Sequence, residues 1–149
     1  MKLHNIHITE RLIFYALSIE TVLERPFIEN GIIAGFPSPA EDFSEISIDL
    51  NIELLRNPAS TFFSRVRGFS MQDVGINDGD LLVIDKSLEP RNGKIAVCYI
   101  DGNFTLKMIK IEKDCCWLMP ANKDYEPIKV TEENDFIVWG IVTYVIKAF

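Results

Sequence analysis

The chain has 149 residues, a formal charge of −7, 48% hydrophobic residues and 25% charged ones. That length suits one domain with a buried core, and the composition excludes disorder over most of the chain. The acidity argues against a self-standing duplex-binding domain, since such binding is driven by Lys and Arg neutralising phosphates.

In chain order, His4 and His7 come first and are the only histidines, so a His/Cys zinc site and a His-based triad are both disfavoured. Thr9 to Arg25 places Leu12, Ala16, Ile19 and Leu23 at roughly helical spacing, which predicts a short helix stopped by Pro26. Ile13, Phe14 and Tyr15 suit a strand equally well. The apolar run from Leu12 to Leu17 is far short of the ~20 residues of a membrane span, so no membrane anchor is expected. No basic segment and small-residue cleavage pattern accompany it, so no signal peptide is expected either. Asn30 to Pro39 is punctuated by Gly31, Gly35, Pro37 and Pro39, which predicts an exposed, extended arm. A protease active site can bind an arm of that kind.

From Ile46 onward the signals are mostly those of strands. Asn51 to Arg56 fits a helical turn or two ending before Pro58, and Thr61 to Val66 reads as a strand followed by a loop through Gly68 and Gly75. Leu81 to Ile84 is a continuous apolar run of the kind buried on both faces. Ile95 to Ile100 and Phe104 to Ile111 flank Asp101-Gly102, a strong hairpin signal. Further strands are predicted at Cys116 to Met119 and Phe136 to Ile146. The fold class is therefore mainly β, a curled, partly barrel-like sheet behind an extended N-terminal arm containing a possible short helix. Cys98, Cys115 and Cys116 give an odd number with two adjacent, which fits no disulfide framework and suits a reducing cytoplasm.

Two residues in this body could carry chemistry. Two-residue alternation puts Thr105, Lys107 and Ile109 on one face of their strand. A strand lysine is usually solvated, but a desolvated one loses its preference for the charged form and can act as a general base. Ser70 lies in Gly68-Phe69-Ser70-Met71, where a Gly two residues earlier permits a tight turn presenting the hydroxyl. With no histidine in the body, lysine is the remaining plausible base for that serine, and Ser–Lys pairs are a known variant of triad logic. Asp78-Gly79-Asp80 reads as a turn that helps to hold the serine loop without touching substrate.

Taken in order, Ala34-Gly35, Gly68-Phe69-Ser70-Met71, Asp78-Gly79-Asp80-Leu81-Leu82 and Phe104-Thr105-Leu106-Lys107 resemble the LexA-like self-cleaving serine peptidases. Gly140-Ile141-Val142 adds to the likeness. Two features depart from the family pattern: Phe69 stands where relatives often carry an acidic or small residue, and the segment before the cleavage site is longer.

The resemblance implies Ser70 as nucleophile, Lys107 as general base, backbone N–H groups of Ser70 and Met71 as the oxyanion site, and a scissile bond between Ala34 and Gly35. It implies a removable arm of residues 1–34 and a peptidase and dimerisation domain of residues 35–149. No metal or cofactor is implied. The implied partners are a second copy in a homodimer, a UmuC-like error-prone polymerase subunit, and a RecA filament on single-stranded DNA that stimulates cleavage during the SOS response. Direct sequence-specific DNA binding is not implied, and residues 1–34 carry only Lys2, Arg11 and Arg25 as basic residues. A repressor would need a basic recognition helix there. A signal peptidase would need a membrane anchor. A non-enzymatic interaction module that keeps the fold is the remaining alternative.

Overall fold

The computed structural model describes residues 2–8, 12–18, 22, 24–28, 34–35 and 45–149, with side chains for 22, 24–27, 34–35 and 47–149. Its first strands are β1 (Lys2–Ile8), β2 (Leu12–Ser18), β3 (Glu24–Ile28) and β4 (Glu45–Asp49). A five-residue helix follows, α1 (Leu50–Leu54), capped by the Asp49 carboxylate, which accepts from the Asn51 N–H at 2.9 Å. The body then runs through β5 (Thr61–Val66), β6 (Leu81–Asp85), β7 (Ile95–Ile100), β8 (Asn103–Ile111), β9 (Cys116–Met119), β10 (Ile128–Val130) and β11 (Phe136–Ile146).

Nine of these strands form one sheet in the order β1-β2-β5-β6-β11-β7-β8-β9-β10. Every neighbouring pair in it is antiparallel. The sheet is mainly β as expected but does not close, with β1 and β10 as its outer strands. Asp101 (φ 47°) and Gly102 (φ 89°) both take positive φ, the geometry of the tight β7–β8 hairpin that Asp-Gly favours.

The helix expected between Thr9 and Arg25 is corrected. Residues 12–18 form β2, with Ile13, Phe14 and Tyr15 opposite Arg65, Ser64 and Phe63 of β5. β-branched and aromatic residues lose side-chain freedom in a helix, and the free edge of β5 offers them a hydrogen-bond ladder instead. Pro26, the expected stop, lies inside β3, which pairs with β4 in a separate two-stranded sheet. A two-stranded sheet has only edges, where a missing N–H is tolerated. Of the expected arm from Asn30 to Pro39, only Ala34 and Gly35 are described; they form an exposed bend, and the rest lies outside the described residues.

Apolar side chains pack on both faces of the sheet. Leu106 joins Val66, Met71, Ile76, Leu82, Ile84 and Val97 in one cluster. Ile109 joins Ala96, Cys98, Leu118, Val130 and Ile141 in another. β8 thus feeds both cores from alternate positions, and Lys107 is carried between them, opposite Ala96 in the β7–β8 register. In β11 the register shifts between Val138 and Gly140. A Cβ on Gly140 would stand 2.5 Å from Ile84 Cγ2, so this position accepts no side chain without repacking.

Candidate active site

The loop carrying Ser70 leaves the end of β5 and returns to the start of β6. Its base is tied by the Val66 N–H donating to Asp80 O at 2.9 Å and the Gly79 N–H donating to Val66 O at 2.8 Å. Gly68 takes φ 98°, a left-handed conformation that suits glycine, and its N–H donates to Asp78 Oδ1 at 2.7 Å. Asp80 Oδ2 accepts from the Asn77 N–H at 2.8 Å and pairs with Lys147 near the end of the chain. The acidic turn therefore holds the serine loop, as its sequence suggests.

A second loop pins Ser70 from the other side. The Ala121 N–H donates to Ser70 O at 2.7 Å, and Asn122 Nδ2 donates to Phe69 O at 2.8 Å. Asn122 is buried, and Met71, next in sequence to the serine, is sunk into the core at 2% exposure. The backbone on both sides of Ser70 is thus fixed before any substrate arrives, which is the condition for a positioned nucleophile.

Lys107 is 5% exposed. Its Nζ donates to Ser70 Oγ at 2.9 Å, to Thr105 Oγ1 at 2.9 Å and to Leu106 O at 3.0 Å. The two residues singled out in sequence, 37 positions apart, are therefore within hydrogen-bond distance. Burial disfavours the charged ammonium. Two of its three named partners are hydroxyls, which can donate as well as accept. Among the described residues, neither the Ser70 nor the Met71 N–H donates to an acceptor.

Ser70 and Lys107 open onto a cleft of about 290 Å³, lined also by Arg67, Phe69, Thr105 and Tyr125. Ala34 and Gly35 are exposed and do not line it. Cys98, a buried thiol, is unsuited to attack: burial pushes it up to about 12, and the neighbouring Cys116 adds to the effect while Lys107 opposes it. Among the described residues no cluster of His, Cys, Asp or Glu is placed to hold a metal ion. No helix among them is long and apolar enough to cross a membrane.

Sequence reasoning missed Asn122 as a support of the loop and Thr105 as a partner of the lysine. The first had a faint signal, a turn residue in Pro120-Ala121-Asn122; the second shares the face of Lys107 by alternation.

A family model described as Peptidase S24-like matches residues 26–143. MucA of Salmonella typhimurium is 39% identical over 133 residues, covering 89% of this chain and 90% of that protein. SamA of the same species is 43% identical over 110 residues, 74% of this chain and 76% of SamA. The LexA repressor of Xylella fastidiosa is 38% identical over 126 residues, covering 85% of this chain but 59% of the repressor. With a family match spanning most of its length and relatives of this similarity, the chain belongs to the peptidase S24-like family.

Proposed function

We propose that this chain is a UmuD-like accessory subunit of an error-prone translesion polymerase, made competent by cutting its own arm between Ala34 and Gly35. The observation that carries the reading is the 2.9 Å contact between a buried Lys107 Nζ and Ser70 Oγ, on a chain related to MucA and SamA.

In its neutral form the amine has two N–H donors and one lone pair. Leu106 O can only accept, and Thr105 Oγ1 is well placed to accept, so the lone pair is left to face the Ser70 hydroxyl. Lys107 then takes the Ser70 proton as Oγ attacks the Ala34 carbonyl carbon. The N–H groups of Ser70 and Met71 receive the developing oxyanion, a contribution of about 3 kcal/mol per donor in comparable sites. The protonated lysine returns its proton to the Gly35 nitrogen as the C–N bond breaks, and water releases the acyl group from Ser70. The products are residues 1–34 and 35–149. No cofactor enters the reaction.

The remaining assignments follow from the resemblance: a homodimer in the cytoplasm, a RecA filament on single-stranded DNA as stimulus, and a UmuC-like subunit as the partner of the processed body. The acidic charge suits a subunit that reaches DNA through others, without sequence-specific contacts of its own.

The test is intact mass spectrometry of purified wild type, Ser70→Ala and Lys107→Ala at mildly alkaline pH, which favours the neutral amine, with and without RecA and single-stranded DNA. Wild type should yield a fragment beginning at Gly35, and both variants should stay whole. A wild type that remains intact under every condition refutes the peptidase reading and leaves an interaction module. A Ser70→Ala chain that still cleaves refutes the nucleophile.

A further inference from the structure

The proton transfer uses only part of the cleft. Phe69 is 55% exposed and Tyr125 is 41% exposed, yet both line the same cleft as Ser70 and Lys107. Large aromatic surface left in water beside a nucleophile forgoes the stabilisation that a cover would give. Neither backbone is loose: Phe69 O accepts from Asn122 Nδ2 at 2.8 Å, and the Tyr125 N–H donates to Asn122 O at 3.1 Å. Asn122 thus ties both aromatic residues to one rigid frame.

The sequence contains a segment suited to such a surface. Directly after Ala34-Gly35 come Phe36-Pro37-Ser38-Pro39. Prolines at alternate positions fix φ and favour a polyproline II conformation, which docks on aromatic-lined grooves at low cost in chain entropy. Glu41 and Asp42 follow, and Arg67 lines the same cleft, so the charges are complementary as well. At about 3.1 Å per residue in that conformation, Pro37 to Pro39 would lie roughly 6–12 Å along the chain from a scissile bond held at Ser70.

We propose that Phe69 and Tyr125 form an aromatic subsite that receives the Phe36–Pro39 segment on the leaving side of the Ala34–Gly35 bond, and that this contact sets which peptide is cut. The proposal rests on the Ser70/Lys107 reading above. It also gives the unusual Phe69 a role in selecting the chain's own arm.

The experiment follows conversion of the full chain to the Gly35 fragment by intact mass across a range of pH. Phe69→Ala and Tyr125→Ala should each slow cleavage about fivefold, and together about twentyfold, the size expected for losing aromatic contacts. The factor should be the same at every pH, because the lysine that titrates is untouched. Phe69→Tyr and Tyr125→Phe keep the ring and should recover most of the rate that the alanine variants lose. Pro37→Ala should slow the wild type several-fold but have no further effect in the double alanine variant, since its partner surface is already gone. The subsite is overturned if the double variant cleaves like wild type, or if Pro37→Ala costs as much in that background as in the wild type. Those outcomes leave the peptidase reading standing, whereas a wild type that stays whole overturns both.

Discussion

Two buried charged residues of this chain are treated in opposite ways. Asp85, at the end of β6, is 3% exposed and accepts from Asn57 Nδ2 at 2.7 Å, Ser60 Oγ at 2.9 Å, the Ser87 N–H at 2.8 Å and Ser87 Oγ at 2.6 Å. Burial alone would raise its pKa, but the bonds from Asn57, Ser87 and Ser60 outweigh it and hold the carboxyl below the ordinary carboxylate range. Lys107 is buried to a similar degree, but one of its named partners, the Ser70 hydroxyl, borders an open cleft. A buried charge met by donors committed to it is a staple of the fold. A buried amine facing a hydroxyl that can give up its proton is equipped for chemistry.

The largest effects should come from breaking the reactive side of that contrast. Ser70→Ala and Lys107→Ala should each lower self-cleavage by about 10³-fold or more, with little change in the unfolding midpoint for the serine variant, as expected where one member of a catalytic unit is lost. Single-turnover conversion, read by mass against a chemical unfolding curve, checks both.

Breaking the staple should do the reverse. Asp85→Ala removes a buried acceptor on which four part-buried hydrogen bonds converge, and a loss of about 2–3 kcal/mol in urea unfolding is expected, with cleavage by the folded fraction unchanged. The pH dependence has a definite sign. Because the folded-state pKa lies below the unfolded one, the contribution of Asp85 is fully present above the ordinary carboxylate value and is lost as pH falls through the depressed one. Wild type should therefore lose stability in acid more steeply than Asp85→Asn, measured by urea midpoints from neutral to strongly acidic pH.

How much of this contrast is legible in sequence depends on the kind of signal. The strands β5, β6, β7, β8 and β11 are legible because alternation, the run Leu81 to Ile84 and the Asp101-Gly102 turn are local patterns. β10 is not: it has three residues, of which only Val130 is buried, too few for a period to register. The N-terminal strands fail for another reason. Leu12, Ala16 and Ile19 satisfy a helical spacing while their neighbours satisfy a strand, and pairing with β5 decides between them. Ser70 and Lys107 are legible as a pair through the order of motifs. Asn122 is not, because a single turn residue says nothing about which distant carbonyl its amide will reach. The Asp85 cluster is likewise hidden, since Asn57 and Asp85 are 28 residues apart and meet only through tertiary packing.

A smaller effect probes the frame of the reactive side. Asp78→Ala removes the acceptor for the Gly68 N–H, an exposed contact that orients the serine loop. Cleavage should slow about tenfold while stability falls by no more than about 1 kcal/mol, because an exposed hydrogen bond contributes little to folding. Asp78→Asn keeps an oxygen in place and should restore most of the rate.

The smallest expected effect tests the amine itself. Thr105 Oγ1 lies 2.9 Å from Lys107 Nζ. Thr105→Val keeps the shape but removes that oxygen, so the neutral amine loses one of the two acceptors that leave its lone pair facing Ser70. The amine can then rotate, and the fraction of time spent in the productive orientation falls. A drop of about threefold to tenfold in the cleavage rate is expected, the size of one neutral hydrogen bond of about 1 kcal/mol. The loss should recover in Thr105→Ser, which keeps the hydroxyl on the same face of β8. If the variants Thr105→Val and Thr105→Ser slow cleavage alike, the threonine matters for packing and not for orienting the amine. If Thr105→Val is slow and Thr105→Ser is fast, then what separates the Lys107 site from the Asp85 staple is the orientation of a single lone pair, since both sites are equally buried.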